Sequence, residues 1–166
     1  MKLQDQAAIV TGGASGLGAA TARKLAAQGA KVTVADLNTK LAEELAREIG
    51  GIAVHCDVAD AASGEAAIVA AAKAHGPARV LVNCAGIGVA KRVVGREGPH
   101  ALADFDRVIR INLIGSFNML RLATSEMSKL APLDGGERGV VINTASVAAY
   151  DGQIGQAAYS ASKGGI

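Results

Sequence analysis

The sequence predicts an α/β protein built on a doubly wound parallel sheet, and three observations carry that reading. Short apolar runs alternate with helical stretches along the chain, the pattern of repeated β-α-β units. The apolar residues are almost free of aromatics (2% of the chain) and dominated by Ala, Val, Ile and Leu, as suits strands covered on both faces by small-residue helices. A glycine-rich turn sits where the first apolar run hands over to the first helical stretch.

Each element follows in order. Residues 7–10 form the first strand, and a helix runs from about 17 to 28, closed by Gly29. Residues 32–35 make the second strand, which ends at Asp36. Leu41, Leu45 and Ile49 then repeat at helical spacing, with Asn38 or Thr39 as cap and Gly50-Gly51 as stop. The third strand is 52–55, an alanine-rich helix spans 60–75, and 80–82 reads as a buried fourth strand. A long loop is expected over 86–100, the longest helix over 102–130, a polar turn over 132–139 and a fifth strand over 140–142. No repeat or low-complexity linker interrupts this series, so residues 1–166 read as one domain with strand order 3-2-1-4-5.

The net charge is +2 with Lys and Arg scattered, which argues against a nucleic-acid footprint. The opening Met-Lys-Leu-Gln-Asp-Gln is too polar and short for a signal peptide, and no apolar run approaches the roughly 18 residues of a spanning helix. A cytoplasmic protein with no membrane partner is the expectation. Cys56 and Cys84 sit in no C-x-x-C pair, so neither a metal site nor a disulfide framework is expected.

Thr11-Gly12-Gly13-Ala14-Ser15-Gly16-Leu17-Gly18 joins the first strand to the first helix. Glycines there permit a tight turn and let backbone N–H groups approach a pyrophosphate, while the helix N-terminus adds positive potential. Glycines also serve ordinary turns, but here the strand before, the helix after and an acid downstream all agree. The acid is Asp36. A carboxylate at the end of the second strand can accept hydrogen bonds from adenosine ribose hydroxyls and would repel a 2′-phosphate, which points to NAD; an ordinary helix-approach Asp is the alternative.

Tyr159 and Lys163 stand four residues apart, one helical turn if the segment is helical. An unperturbed phenol titrates near 10, and a nearby ammonium favours the phenolate, so the pair suits proton exchange with an alcohol or carbonyl oxygen. Ser146, directly after the fifth strand, can hold that oxygen at the carboxyl ends of the strands, where ligands bind in open α/β sheets. Phe105, Val108, Ile109, Leu113 and Ser116 recur on one helical stripe with Asn112 among them, an amide that needs buried partners.

The Thr-Gly-x-x-x-Gly-x-Gly loop, Ser146 and Tyr-x-x-x-Lys together resemble the short-chain dehydrogenase/reductase family, from Ala7 to the last residue. The resemblance implies a Rossmann-like NAD-binding domain in which Gly12, Gly16 and Gly18 hold the phosphates with Ser15 and Leu17 as contacts. By the same resemblance Asp57-Val58 lies near the adenine, and Asn83-Cys84-Ala85-Gly86 supports the sheet and borders the nicotinamide-side ribose. Tyr159 and Lys163 would then serve both catalysis and the cofactor, Ser146 the substrate, and Asn112 a water that relays protons from Lys163. A homotetramer is implied as well.

The segment 139–159, the glycine loop with Asp36 and the loop 88–100 are similar to a narrower group, the type II 3-hydroxyacyl-CoA dehydrogenases. That likeness implies oxidation of the 3-hydroxyl of an acyl-CoA by NAD, with Gln153 as a substrate contact. Lys91, Arg92 and Arg96 would meet the phosphates of coenzyme A, or are solvated loop charges. Family members are typically longer, so residues 1–166 are expected to be a domain truncated at its C-terminus, with later strands missing. The same chemistry on another alcohol (a 3-oxoacyl thioester, steroid or sugar) is the first alternative. A nucleotide-binding module without turnover is the second, and the joint presence of Ser146, Tyr159 and Lys163 argues against it.

Overall fold

The computed structural model describes residues 1–96 and 98–166; Glu97, inside the loop expected over 86–100, lies outside the described residues. Strands β1 (Ala7–Thr11), β2 (Lys31–Asp36), β3 (Ile52–His55) and β4 (Val80–Asn83) alternate with helices α1 (Gly16–Ala27), α2 (Thr39–Ile49) and α3 (Ala61–His75). All pair in parallel, and with β7 (Val140–Asn143) they form one sheet of order β3-β2-β1-β4-β7, the order expected from the sequence. The order reverses between β1 and β4, and the loops leaving those two strands diverge into a crevice there.

Alternation along β1 divides the core. Ala7 and Ile9 face α3 and a later helix through Ala67, Ile68, Ala71, Met119 and Ala123. Ala8 and Val10 face α1 and α2 through Ala19, Ala22, Ala42, Leu45 and Ala46. Alanine on the helix faces lets them lie close to the sheet, so that strand ends and loops are fixed by packing on both sides. Asn38 settles the first cap by accepting from the Leu41 amide, and Thr39 opens α2. Asp60, expected to open α3, instead caps it in extended backbone by accepting from the Ser63 amide at 2.7 Å.

Two expectations need correction. The loop over 86–100 contains a small antiparallel ribbon, β5 (Val94–Gly95) with β6 (Gly98–Pro99). The helix expected over 102–130 is two helices, α4 (Leu102–Ile109) and α5 (Gly115–Ser128), joined by a π-helical turn, Arg110–Ile114. That turn carries Asn112, fully buried at 0% exposure, and places Gly115 against Val58, where a Cβ would fall 3.1 Å from the valine Cβ. α6 (Ala157–Gly165) packs against α4 and against the 3-10 turn Val147–Ala149. Among the described residues no helix is long and apolar enough to cross a membrane.

Candidate active site

The crevice between the β1 and β4 loops is a cleft of about 370 Å³. Most residues expected to hold a cofactor line it: Gly12, Ser15, Gly16, Leu17 and Gly18 from the glycine loop, Asp36 after β2, Asp57 and Val58 after β3, and Cys84, Ala85 and Gly86 after β4. Sequence reasoning missed Leu37, Cys56, Ile87 and Ile111, which line it too. These are apolar positions next to expected ones, with no chemical mark of their own.

A polar seam crosses three strand ends next to the cleft. Thr11, Asn83 and Asn143 stand side by side in register on β1, β4 and β7. The Thr11 hydroxyl donates to Asn83 Oδ1 at 3.3 Å and accepts from the Ala85 amide, while Asn83 Nδ2 donates to Asn143 Oδ1 at 3.0 Å and to the Ser116 carbonyl. Asn83 thus shapes the cleft from beneath rather than lining it. These bonds tie the ends of β1, β4 and β7 to one another, to α5 and, through Ala85, to the loop that leaves β4.

Glycine is required where these loops meet. Gly12 adopts φ +59°, and a Cβ there would sit 2.7 Å from the Ala85 backbone. A Cβ on Gly18 would fall 2.8 Å from the Gly12 carbonyl carbon and inside contact distance of its oxygen. The glycine loop therefore lies flat on the start of α1. Ser15 caps α1 in extended backbone without a side-chain capping bond, and no acid occupies the first turn. Neither a hydroxyl nor a carboxylate competes for the amide protons at this helix start, an arrangement suited to phosphate. Asp36 accepts from the Ala14 amide at 3.0 Å through Oδ2 and from the Asn38 amide at 2.9 Å through Oδ1, so it clasps the glycine loop while facing the cleft. Each carboxylate oxygen keeps lone-pair capacity for a ribose hydroxyl. The carboxylate at one end and the flat amide-lined middle are a fit for a nicotinamide dinucleotide.

Beyond the far end stands α6. Lys163 is 6% exposed, and its ammonium donates to the Thr144 carbonyl at 2.5 Å. Burial holds its pKa below the usual lysine value, partly offset by the neighbouring Cys84 sulfur. The ammonium lies 5.6 Å from the centre of the Tyr159 ring, one turn back on the same helix face. A Cβ on Gly86 would lie 3.8 Å from Lys163 Nζ, so the pair stands next to the Gly86 end of the cleft, although neither Lys163 nor Tyr159 lines it. Ser146 caps the 3-10 turn that packs on α6 and accepts from the Ala148 amide at 3.2 Å, leaving its hydroxyl proton available to donate. Thr144 was not anticipated. It holds Lys163 through a backbone carbonyl, which no side-chain pattern reveals.

Asn112 accepts from the Ile87 amide at 2.8 Å and donates to the Ile87 carbonyl and to Ser162 Oγ. Its amide clamps the β4 loop to α6, acting on the site by holding it. Gln153 lies exposed in the loop before α6; a second pocket, about 350 Å³, is bounded by Tyr159, Gly88, Val89, Ala90 and Gln156 instead. Lys91 is paired with Asp104 at 2.6 Å, while Arg92 and Arg96 are exposed around the β5–β6 ribbon. Cys56 is buried, which pushes its thiol up to about 11. Among the described residues no three His, Cys, Asp or Glu side chains come together as a metal site would need.

A family model for short chain dehydrogenases matches residues 6–166, glycine loop and α6 included. The chain belongs to the short chain dehydrogenase family. Within that family it is 50% identical over 163 residues to the 3-hydroxyacyl-CoA dehydrogenase type-2 of Bos taurus, covering 96% of this chain and 62% of the relative. It is 46% identical to the protein of the same name in Drosophila melanogaster, covering 99% of this chain and 66% of the relative. The crystal structure of 3-hydroxyacyl-CoA dehydrogenase type-2 from Mycobacterium avium superposes with a TM-score of 0.93 at 42% identity, covering 99% of this chain and 66% of that one. The chain thus spans 62–66% of the length of these relatives.

Proposed function

We propose that this chain is the nucleotide-binding and proton-transfer part of an NAD-dependent dehydrogenase that interconverts a 3-hydroxyacyl-CoA and its 3-oxoacyl-CoA. The observation that carries the reading is a cleft that runs from the Asp36 carboxylate past the glycine loop to Gly86, where a Cβ would stand 3.8 Å from the ammonium of Lys163, one helical turn from Tyr159. In this reading Asp36 takes the adenosine ribose hydroxyls, and the amides of 15–18 take the pyrophosphate. The bound nicotinamide supplies the hydride acceptor for the alcohol carbon. Ser146 donates to the substrate oxygen and fixes it beside Tyr159. The phenolate of Tyr159 removes the hydroxyl proton, and the ammonium of Lys163 stabilises that phenolate and holds the second ribose. Asn112 and Thr144 keep the β4 loop and Lys163 in place during the transfer.

The acyl-CoA assignment is supported by relatives of that name at 46–50% identity. A homotetramer belongs to the same proposal. Its support is the apolar outer face of α4 and α5, where Leu102 and Phe117 are 80% and 61% exposed. Initial rates of the full gene product with NAD and a 3-hydroxybutyryl-CoA, a steroid alcohol and a sugar alcohol test the substrate. The thioester should give the highest kcat/KM. A tenfold preference for another alcohol would reassign the substrate class, and no NAD-linked turnover at all would remove the reading.

A further inference from the structure

The cleft end nearest Asp36 rests on a residue with no place in the mechanism above. Asp57 and Val58 line this end beside Asp36 and Leu37, and they belong to the short connection between β3 and α3. The connection's own bonds are local or run to β2: Asp57 accepts from the Ala59 amide, its amide donates to Ser63 Oγ, the Asp60 amide donates to the Asp57 carbonyl, Asp60 caps α3 through the Ser63 amide, and the Cys56 amide donates to the Asp36 carbonyl. From α5 the side chain of Asn118 reaches into that connection. Asn118 is 6% exposed, and its Nδ2 donates to the Val58 carbonyl at 3.0 Å and to the Asp60 carbonyl at 3.3 Å.

The orientation of this amide is fixed from behind. Arg121 Nε donates to Asn118 Oδ1 at 3.0 Å, so the oxygen faces the guanidinium and the nitrogen faces the loop. Glu65 lies 3.6 Å from the same guanidinium and holds it in turn. Two glycines make the approach possible. A Cβ on Gly64 of α3 would lie 2.8 Å from Asn118 Nδ2, and Gly115 lets Val58 rest directly on α5.

We propose that Asn118 is a positioning residue for the adenine end of the cleft: through two backbone carbonyls it holds the 57–60 segment at the height where Val58 covers the base. This rests on the dinucleotide reading of the cleft. Asn118 touches neither cofactor nor substrate, so its loss should separate the two halves of the nucleotide. A merely structural residue would weaken both halves or neither.

The test is calorimetric binding of AMP and of nicotinamide mononucleotide to the full gene product, with Asn118→Leu as the variant of similar size that lacks the donors. AMP affinity should fall about tenfold, the effect of losing one to two hydrogen bonds on a loop. Nicotinamide mononucleotide should bind within twofold of wild type. In turnover the KM for NAD should rise by the AMP factor while kcat stays within twofold. Arg121→Met, which leaves the amide in place but frees it to turn, should give a smaller loss in the same direction and serves if Asn118→Leu does not fold. Unchanged AMP affinity in the folded variants, or an equal loss for both mononucleotides, overturns the inference. Failure of wild type to bind either mononucleotide removes the cofactor reading instead.

Discussion

Replacing Gly18 by alanine tests how closely the glycine loop must lie on α1. The new Cβ would stand 2.8 Å from the Gly12 carbonyl carbon, 3.0 Å from the Gly13 Cα and within contact of the Gly12 oxygen. Carbon atoms in ordinary contact stand about 3.5–4.0 Å apart, so the overlap with the carbonyl carbon alone is about 0.7–1.2 Å, and more with its oxygen, against backbone that cannot rotate away. The start of α1 must shift outward or the loop must lift. Overpacking of this kind costs about 1–3 kcal/mol. Moving the amides of 15–18 by a comparable distance should also weaken NAD by about tenfold, or 1.4 kcal/mol. Gly16→Ala is the comparison: its Cβ meets nothing within 4 Å, and its penalty is only the left-handed backbone at φ +50°, about 1 kcal/mol. Urea denaturation and calorimetric titration of NAD read both effects. A Gly18→Ala protein with wild-type midpoint and wild-type NAD affinity would refute the close-packing argument.

Tyr159→Phe should lower kcat by about 10²–10⁴ while NAD affinity changes little, because only the hydroxyl is lost; retention of a tenth of the activity would take Tyr159 out of proton transfer. Asp36 should favour NAD over NADP by about 10²-fold in kcat/KM through like-charge repulsion, and Asp36→Asn should narrow the ratio while loosening the loop at Ala14. Equal constants in wild type would end that assignment. Burial holds the Lys163 pKa below 10.5, so in the alkaline window just under that value the unfolded chain binds more protons than the folded one. Stability of wild type relative to Lys163→Met should therefore rise as pH climbs through that window. A flat difference across thermal melts would show that burial does not act on Lys163 as described.

Much of this was legible in the sequence, for physical reasons that differ by element. The strands of the sheet are short apolar runs bounded by turn residues, and their order is the one the doubly wound architecture has. The glycine loop was readable because backbone approach and positive φ leave glycine as the residue that fits, at Gly12 and Gly18 above all. The break at Arg110–Ile114 was not. A π-turn adds one residue to a helix without altering its composition, so the stripe through Asn112 reads as continuous. The β5–β6 ribbon was hidden because it is two residues a side, with Val94 and Pro99 exposed, and shows no alternation. In the site, residues marked by their own chemistry (Asp36, Ser146, Tyr159, Lys163) were found. Thr144 and Asn118 were not, since one acts through its main chain and the other through the main chain of a distant loop.

In the proposed function a dinucleotide lies in the cleft from Asp36 to the Tyr159–Lys163 pair. A crystal structure of the full gene product with NAD tests it most directly. The adenosine ribose hydroxyls should lie on the Asp36 carboxylate, the pyrophosphate over the amides of 15–18, and the nicotinamide ribose on the Lys163 ammonium with the ring facing Tyr159. A nucleotide bound in the reverse sense, or outside the cleft between the β1 and β4 loops, would contradict it.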